Sequence, residues 1–334
     1  MFPYLPKAGN CTWRLRHVPF FILLLLLTGC AATPQTDALL SSESGPEDKE
    51  ELQSVPFFPQ EDYQCGPAAL ATLLADSGLN VTPDELVPKV YVPERKGSFQ
   101  VEMLAAARGY GRIPYEIAPE LTAVIDEVSA GNPVLVLQNL GPDWFPQWHY
   151  AVVVGYDMTQ GEFILRSGEI ERRETSFKVF ENTWRRSKFW GFVLLEPGEL
   201  PATGSEKPYF LAVSTYMEHA PESDVLKALQ AGLRRWPDSK YLLMAVGNLY
   251  AQQQKLPEAA SAFERVIEVA PDYAPAHNNL AWVLGEQGQV AKAKQHASQA
   301  VKLGGRNLPQ YKLTLEALNK LKVPDSHRST NNKE

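Results

Sequence analysis

Between Val55 and Pro197 the chain carries one cysteine, Cys65, and one histidine, His149. A thiol and an imidazole are the smallest set able to perform nucleophilic acyl transfer. The imidazole accepts the thiol proton, the sulfur attacks a carbonyl, and the proton then serves the leaving amine. Cys65 opens the run Cys65-Gly66-Pro67. Proline is preorganised for an early helical position, so this spacing predicts a helix from the cysteine through Leu70, Leu73 and Leu74 to a stop at Gly78. A thiol at a helix N-terminus faces the positive end of the macrodipole and is expected to ionise more readily than a free one. His149 opens the apolar stretch to Tyr156, which reads as a strand.

The remaining cysteines belong to a targeting segment. Arg14, Arg16 and His17 precede the apolar run Phe20 to Leu27, too short to cross a bilayer as a helix, and Leu27-Thr28-Gly29-Cys30 resembles a bacterial lipobox. Residues 1–29 are therefore expected to be a lipoprotein signal peptide and Cys30 the lipid-bearing first residue of the mature chain. With Cys11 removed and Cys30 acylated, Cys65 is the free thiol of a protein in an oxidising cell envelope, which again points to a nucleophile. Ala31, rather than aspartate, after the lipobox cysteine implies the outer membrane, facing the periplasm. A formal net charge of −7 with no basic patch excludes nucleic acid as a partner.

The elements that must hold the pair follow from patterning. Residues 30–54 are polar and acidic without apolar periodicity and predict a flexible linker. A mixed domain spans 55–200, with helices starting at Cys65, near Thr82-Pro83-Asp84-Glu85 and over Ser98 to Arg108. Short strands follow at Val134–Leu137, His149–Tyr156, Glu162–Leu165 and Phe192–Leu195. Helices first and strands afterwards predict an α+β domain. Residues 206–322 turn to a helical repeat: Pro237 and Pro271 stand one 34-residue period apart, and Leu243, Gly247, Tyr250, Ala259 and Phe263 follow the TPR pattern. A second unit starts near Ala274 and a degenerate first copy covers 206–239. Residues 323–334 read as a disordered tail. His219, His277, His296 and His327 show no metal-ligand spacing, and no cofactor motif is present.

The stretch Val55-Pro-Phe-Phe-Pro-Gln60 through Cys65-Gly-Pro-Ala-Ala-Leu-Ala, with Gly131-Asn-Pro-Val-Leu-Val and Trp148-His149-Tyr-Ala-Val-Val-Val-Gly-Tyr-Asp157, resembles peptidase family C39, papain-like domains best known for cutting double-glycine leaders. The resemblance implies a papain-like α+β fold, Cys65 as nucleophile, His149 as base, and Gln60 with the Cys65 backbone N–H as oxyanion hole, Gln64 being the minor rival. The family's third residue is an aspartate soon after the histidine strand, and Ser167 stands at that place. The expected function is a cysteine peptidase acting on a peptide or related amide bond in the envelope, with the TPR groove recruiting substrate or partner. The alternative is an inactive C39-like/TPR scaffold, motivated by the missing aspartate.

Overall fold

The computed structural model describes residues 32–42, 48–60, 64–95 and 97–321. The expected signal peptide, the expected lipidation site Cys30 and the expected 323–334 tail lie outside the described residues. At the centre is a seven-stranded antiparallel sheet in the order β4-β9-β5-β6-β7-β8, with β1 pairing β6 off that path. The strands are β1 (Lys49–Glu51), β4 (Ile113–Glu116), β5 (Val134–Asn139), β6 (Trp148–Asp157), β7 (Glu162–Ser167), β8 (Ile170–Ser176) and β9 (Gly191–Leu195). A separate hairpin pairs β2 (Tyr91–Val92) with β3 (Gly97–Ser98).

Strand alternation divides the core between the two sheet faces. Leu135, Tyr150, Val152, Val154 and Ile164 meet Leu70, Leu73, Leu74, Leu86 and Met103, the apolar stripes of α2 (Cys65–Asp76), α3 (Pro83–Val90) and α4 (Gln100–Gly109). Val134, Val136, Ala151, Val153 and Leu165 meet Val124, Val128, Phe180 and Trp184, on α5 (Leu121–Ser129) and α6 (Phe177–Trp184). Trp184 is fully buried and donates its indole N–H to the Trp190 carbonyl at 2.8 Å. At Gly155 the close pass of β1 requires glycine, since a Cβ would meet the Glu50 carbonyl oxygen at 2.6 Å.

Residues within 30–54, expected to form a flexible linker, are instead ordered in two places. Helix α1 (Pro34–Ser41) docks through Glu181, whose buried carboxylate accepts the N–H groups of Gln35 and Thr36 and the Thr36 hydroxyl. The free N–H groups of a helix start are thereby satisfied by a charge that also complements the macrodipole. Gln35 in turn accepts the N–H of Leu121 at the start of α5. Polar composition hid this docking because it rests on polar contacts, with only Thr36 and Leu39 buried. Lys49–Glu51 pairs with Gly155–Asp157, and Asp157 holds Lys49 and the N–H of Gln160.

Seven helices follow: α7 (Glu206–Tyr216), α8 (Glu222–Arg235), α9 (Lys240–Gln252), α10 (Leu256–Val269), α11 (Ala274–Glu286), α12 (Val290–Leu303) and α13 (Leu308–Lys320). Small residues allow the pairs to pack closely: Ala259, Ala281, Ala293 and Ala297 are buried, and a Cβ at Gly247 would meet the Phe263 ring at 2.5 Å. The first pair is fused to the sheet domain, since Tyr209, Val213 and Tyr216 share the core that contains Ile113 and Tyr115. The join is reinforced by Glu127. Its buried carboxylate accepts the Ala202 N–H at 3.1 Å, the Thr203 N–H at 2.9 Å, the Thr203 hydroxyl at 2.6 Å and the Asn132 amide at 2.7 Å. Glu127→Ala would leave these donors without an acceptor, and we expect it to lower unfolding stability by about 3 kcal/mol. A urea titration checks this, and a loss below about 1 kcal/mol would remove Glu127 from the join.

Candidate active site

Cys65 heads α2 at the floor of an open cleft of about 1090 Å³ walled by Phe99, Leu137, Phe145, Trp148, Tyr150 and Trp190. Gly66 permits this seat, because a Cβ there would run into the Ser98 side chain. The β6–β7 ladder ends at the pair Val152↔Arg166, so β6 continues alone toward Trp148 on that side. There the Tyr150 N–H is donated to the Cys65 thiol, with the N–H groups of Gly66 and Cys65 also directed at the sulfur. Burial nevertheless pushes the thiol pKa up, and these hydrogen bonds only moderate the rise. The expectation of a lowered thiol pKa is thus corrected: the helix start supplies its N–H groups, but desolvation of the thiolate outweighs them.

His149, one residue before the donor to the thiol, is partly buried, and its Nε2 lies 2.8 Å from Ser167 Oγ at the end of β7. That contact leaves Nδ1 as the ring nitrogen not engaged by Ser167. Gln60 donates its backbone N–H to the carbonyl of Gly168 at 3.2 Å, directly after Ser167. The structure therefore pairs the thiol with the Tyr150 N–H, the imidazole with Ser167, and the Gln60 backbone with the Ser167-Gly168 turn, and the first two meet only in that His149 and Tyr150 are neighbours on β6. Gln64 is the N-cap residue of α2, where its carbonyl accepts the Ala68 N–H.

Burial and, after it, the positive charge of Arg173 push the His149 pKa down to about 4 from its ordinary 6.5. Arg173 pairs with Leu165 across β7 and β8, which sets it on the face that carries His149 and Ser167. Adjacent arginines such as Arg172-Arg173 and Arg185-Arg186 read in a sequence as solvated faces. Arg172 fits that reading, held by Glu51 and Glu174 at the surface. Arg173 is exposed as well, yet it lies on the face that carries the imidazole and its charge acts there. Arg186 does not fit it, since its guanidinium donates to the Asn139 and Gly141 carbonyls and pairs with Asp143.

A histidine whose folded pKa lies below its unfolded value adds stability above the unfolded pKa and loses it as pH falls. For His149 the window runs from pH 6.5 down to about 4, and we expect a loss of about 2–3 kcal/mol by pH 4.5. Urea midpoints of wild type and His149→Gln at pH 7 and 4.5 check it. An equal acid-induced loss in the two proteins would contradict a buried neutral imidazole.

The cleft rim has one strained stretch. Lys188 and Phe189 both lie in the left-handed region, at φ 61° and 57°, at a cost of about 1–2 kcal/mol each for residues bearing a Cβ. The turn is over-determined by Lys188 N–H to the Arg185 carbonyl, Phe189 N–H to the Trp184 carbonyl, Ser187 hydroxyl to the Trp184 carbonyl, and an edge contact of Phe189 on Trp184 at 5.2 Å. No sequence signal marks it, since glycine is the usual residue for such φ values. In the helical array, His277 and His296, which show no metal-ligand spacing in the sequence, have Nδ1 atoms 3.1 Å apart, with His277 Nε2 on the Pro271 carbonyl. Among the described residues no third His, Cys, Asp or Glu joins them as a metal set.

A sheet flanked by a cysteine-headed helix, with a histidine at the open end of the neighbouring strand, defines a papain-like α+β domain. Residues 52–191 match the Peptidase_C39 like family, and residues 247–288 match a TPR repeat. Among solved structures, the chain is similar to a C39-like protein from Bacillus anthracis at 18% identity, covering 45% of this chain and 98% of that one with a TM-score of 0.39. It is also similar to the peptidase domain of Streptococcus ComA, a bi-functional ABC transporter, at 21% identity, 42% and 98% coverage, and a TM-score of 0.36. The helical part is similar to the TPR2B domain of yeast Sti1 at 16% identity, 35% and 98% coverage, and a TM-score of 0.33. No curated protein matches the chain.

Proposed function

We propose that the chain is a cysteine peptidase of the bacterial cell envelope, anchored through lipid on Cys30, in which the TPR array recruits a protein partner or substrate. The observation that supports this reading is that neighbouring residues of β6 engage the two groups: the Cys65 thiol takes the Tyr150 N–H, and His149 is tied to Ser167 through Nε2. With Nε2–H donating to Ser167, the Nδ1 lone pair takes the thiol proton as the sulfur attacks the substrate carbonyl. The Gln60 side chain and the Cys65 N–H then hold the oxyanion. Collapse breaks the C–N bond, and Nδ1–H protonates the departing amine. Water, deprotonated by His149, hydrolyses the thioester and frees the sulfur. Both pKa shifts favour a neutral thiol beside a neutral imidazole at rest, so His149 acts as a general base during attack rather than as half of a standing ion pair.

The same electrostatics support a second reading, a catalytically inactive scaffold in which the cleft and the array only bind. Ser167 and Arg173 stand where a carboxylate would favour the imidazolium, and Arg173 opposes it. Incubation of the purified full chain with a degenerate peptide library, with new termini identified by mass spectrometry, separates the two. Termini produced by the wild type and not by Cys65→Ala establish the peptidase, and their absence leaves the scaffold. Fatty-acid labelling lost in Cys30→Ser tests the anchor.

A further inference from the structure

The cleft above Cys65 has a charge character opposite to that of the chain. The protein carries a net charge of −7, yet among the described residues the lining of this cleft holds Arg186 and Lys188 and no carboxylate. The Arg186 guanidinium is engaged by the Asn139 and Gly141 carbonyls and by Asp143. The Lys188 ammonium has no hydrogen-bond or carboxylate partner among the described residues. It is presented by the left-handed Lys188-Phe189 turn, a strained conformation locked from beneath by Trp184. Strain held in place at the edge of a cleft is where a functional constraint is expected. Much of the remaining lining is aromatic: Phe99 is 48% exposed, Phe145 60% and Trp148 52%, with Trp190 beside them in the cleft.

We infer that the cleft selects a polypeptide segment that pairs bulky apolar side chains, laid on the aromatic wall, with an acidic side chain that meets Lys188. The inference rests on this cleft being the substrate cleft of the proposed peptidase and adds its substrate class, with Lys188 as the residue that sets the charge preference. Complementary charge supplies discrimination by rejecting the wrong sign as much as by attracting the right one. A basic segment would place its cations against both Lys188 and Arg186.

The test uses the full chain carrying Cys65→Ala and fluorescence anisotropy with two fluorescein-labelled nonapeptides. Both share a Phe-Leu pair, followed by two Glu in one and by two Lys in the other. We expect the acidic peptide to bind at least about fivefold more tightly at low ionic strength, with the ratio falling as salt is added. Adding Lys188→Gln should bring the ratio toward one, and Lys188→Glu should invert it, with circular dichroism and melting temperature unchanged. Equal binding of the two peptides, no binding of either, or a preference that survives Lys188→Glu overturns the inference. Wild-type cleavage of the same peptides reports separately on the peptidase. Selective binding without cleavage removes the peptidase and keeps the charge preference, whereas cleavage without preference does the reverse.

Discussion

Replacement of Cys65 by alanine is expected to lower peptide turnover by at least about 10³-fold, with the fold retained. The sulfur forms the covalent bond in the proposed mechanism, and nothing beside it can substitute. Tyr150 offers only its N–H at that point, and Ser98 presents a hydroxyl with no base to activate it. His149→Ala should cost nearly as much, because members of a nucleophile–base unit fail together. The two losses should not add in the double variant. Retention of more than a tenth of wild-type turnover by Cys65→Ala, with contaminating activity excluded by mock purification, would end the assignment. The cavity left by removing one sulfur at the start of α2 is small, so the melting temperature distinguishes chemical loss from unfolding.

Ser167→Asp should act in the opposite direction. An aspartate there would put a carboxylate where a hydroxyl now sits 2.8 Å from His149 Nε2. An opposite charge at that range favours the imidazolium and offsets both burial and Arg173. The thiolate then gains a cationic neighbour, and the rate of Cys65 alkylation by iodoacetamide at pH 7 should rise roughly 10- to 100-fold. Arg173→Gln should add a smaller increase, since Arg173 is exposed and its field is screened by solvent. Ser167→Ala is the control: it removes the hydroxyl, supplies no charge, and should leave alkylation no faster than in wild type. If Ser167→Asp folds and reacts at the wild-type rate, Ser167 does not hold the orienting position.

The α+β domain followed by a TPR array was legible because both rest on local signals: Cys65-Gly66-Pro67 starts a helix, β-branched runs make strands, and Ala259, Phe263 and Pro271 recur at helical-repeat spacing. What escaped depends on pairing between distant segments. Strand β8 reads Ile-Glu-Arg-Arg-Glu-Thr-Ser, exposed along nearly its whole length, so no alternation announced it. Its register with β7 is what sets Arg173 on the sheet face that carries His149. Helix α6 was also unread, although Phe177, Phe180 and Trp184 stand at helical spacing and are fully buried. The fate of the thiol pKa escaped for a related reason. A helix start can be read from sequence, whereas the desolvation that outweighs it comes from Tyr150, Trp190 and Leu137 folding over the cysteine.

The shared packing of Tyr209, Val213 and Tyr216 with Ile113 and Tyr115, together with the Glu127 clasp, has a mechanical consequence. The first helices of the repeat array are built on the sheet's own core rather than tethered to it. Under the proposed peptidase reading, a segment held by the array would reach Cys65 across a fixed join rather than a free tether. Cutting the polypeptide after the last strand would strip a greasy flank from the remaining half, and that half would be expected to clump instead of working alone.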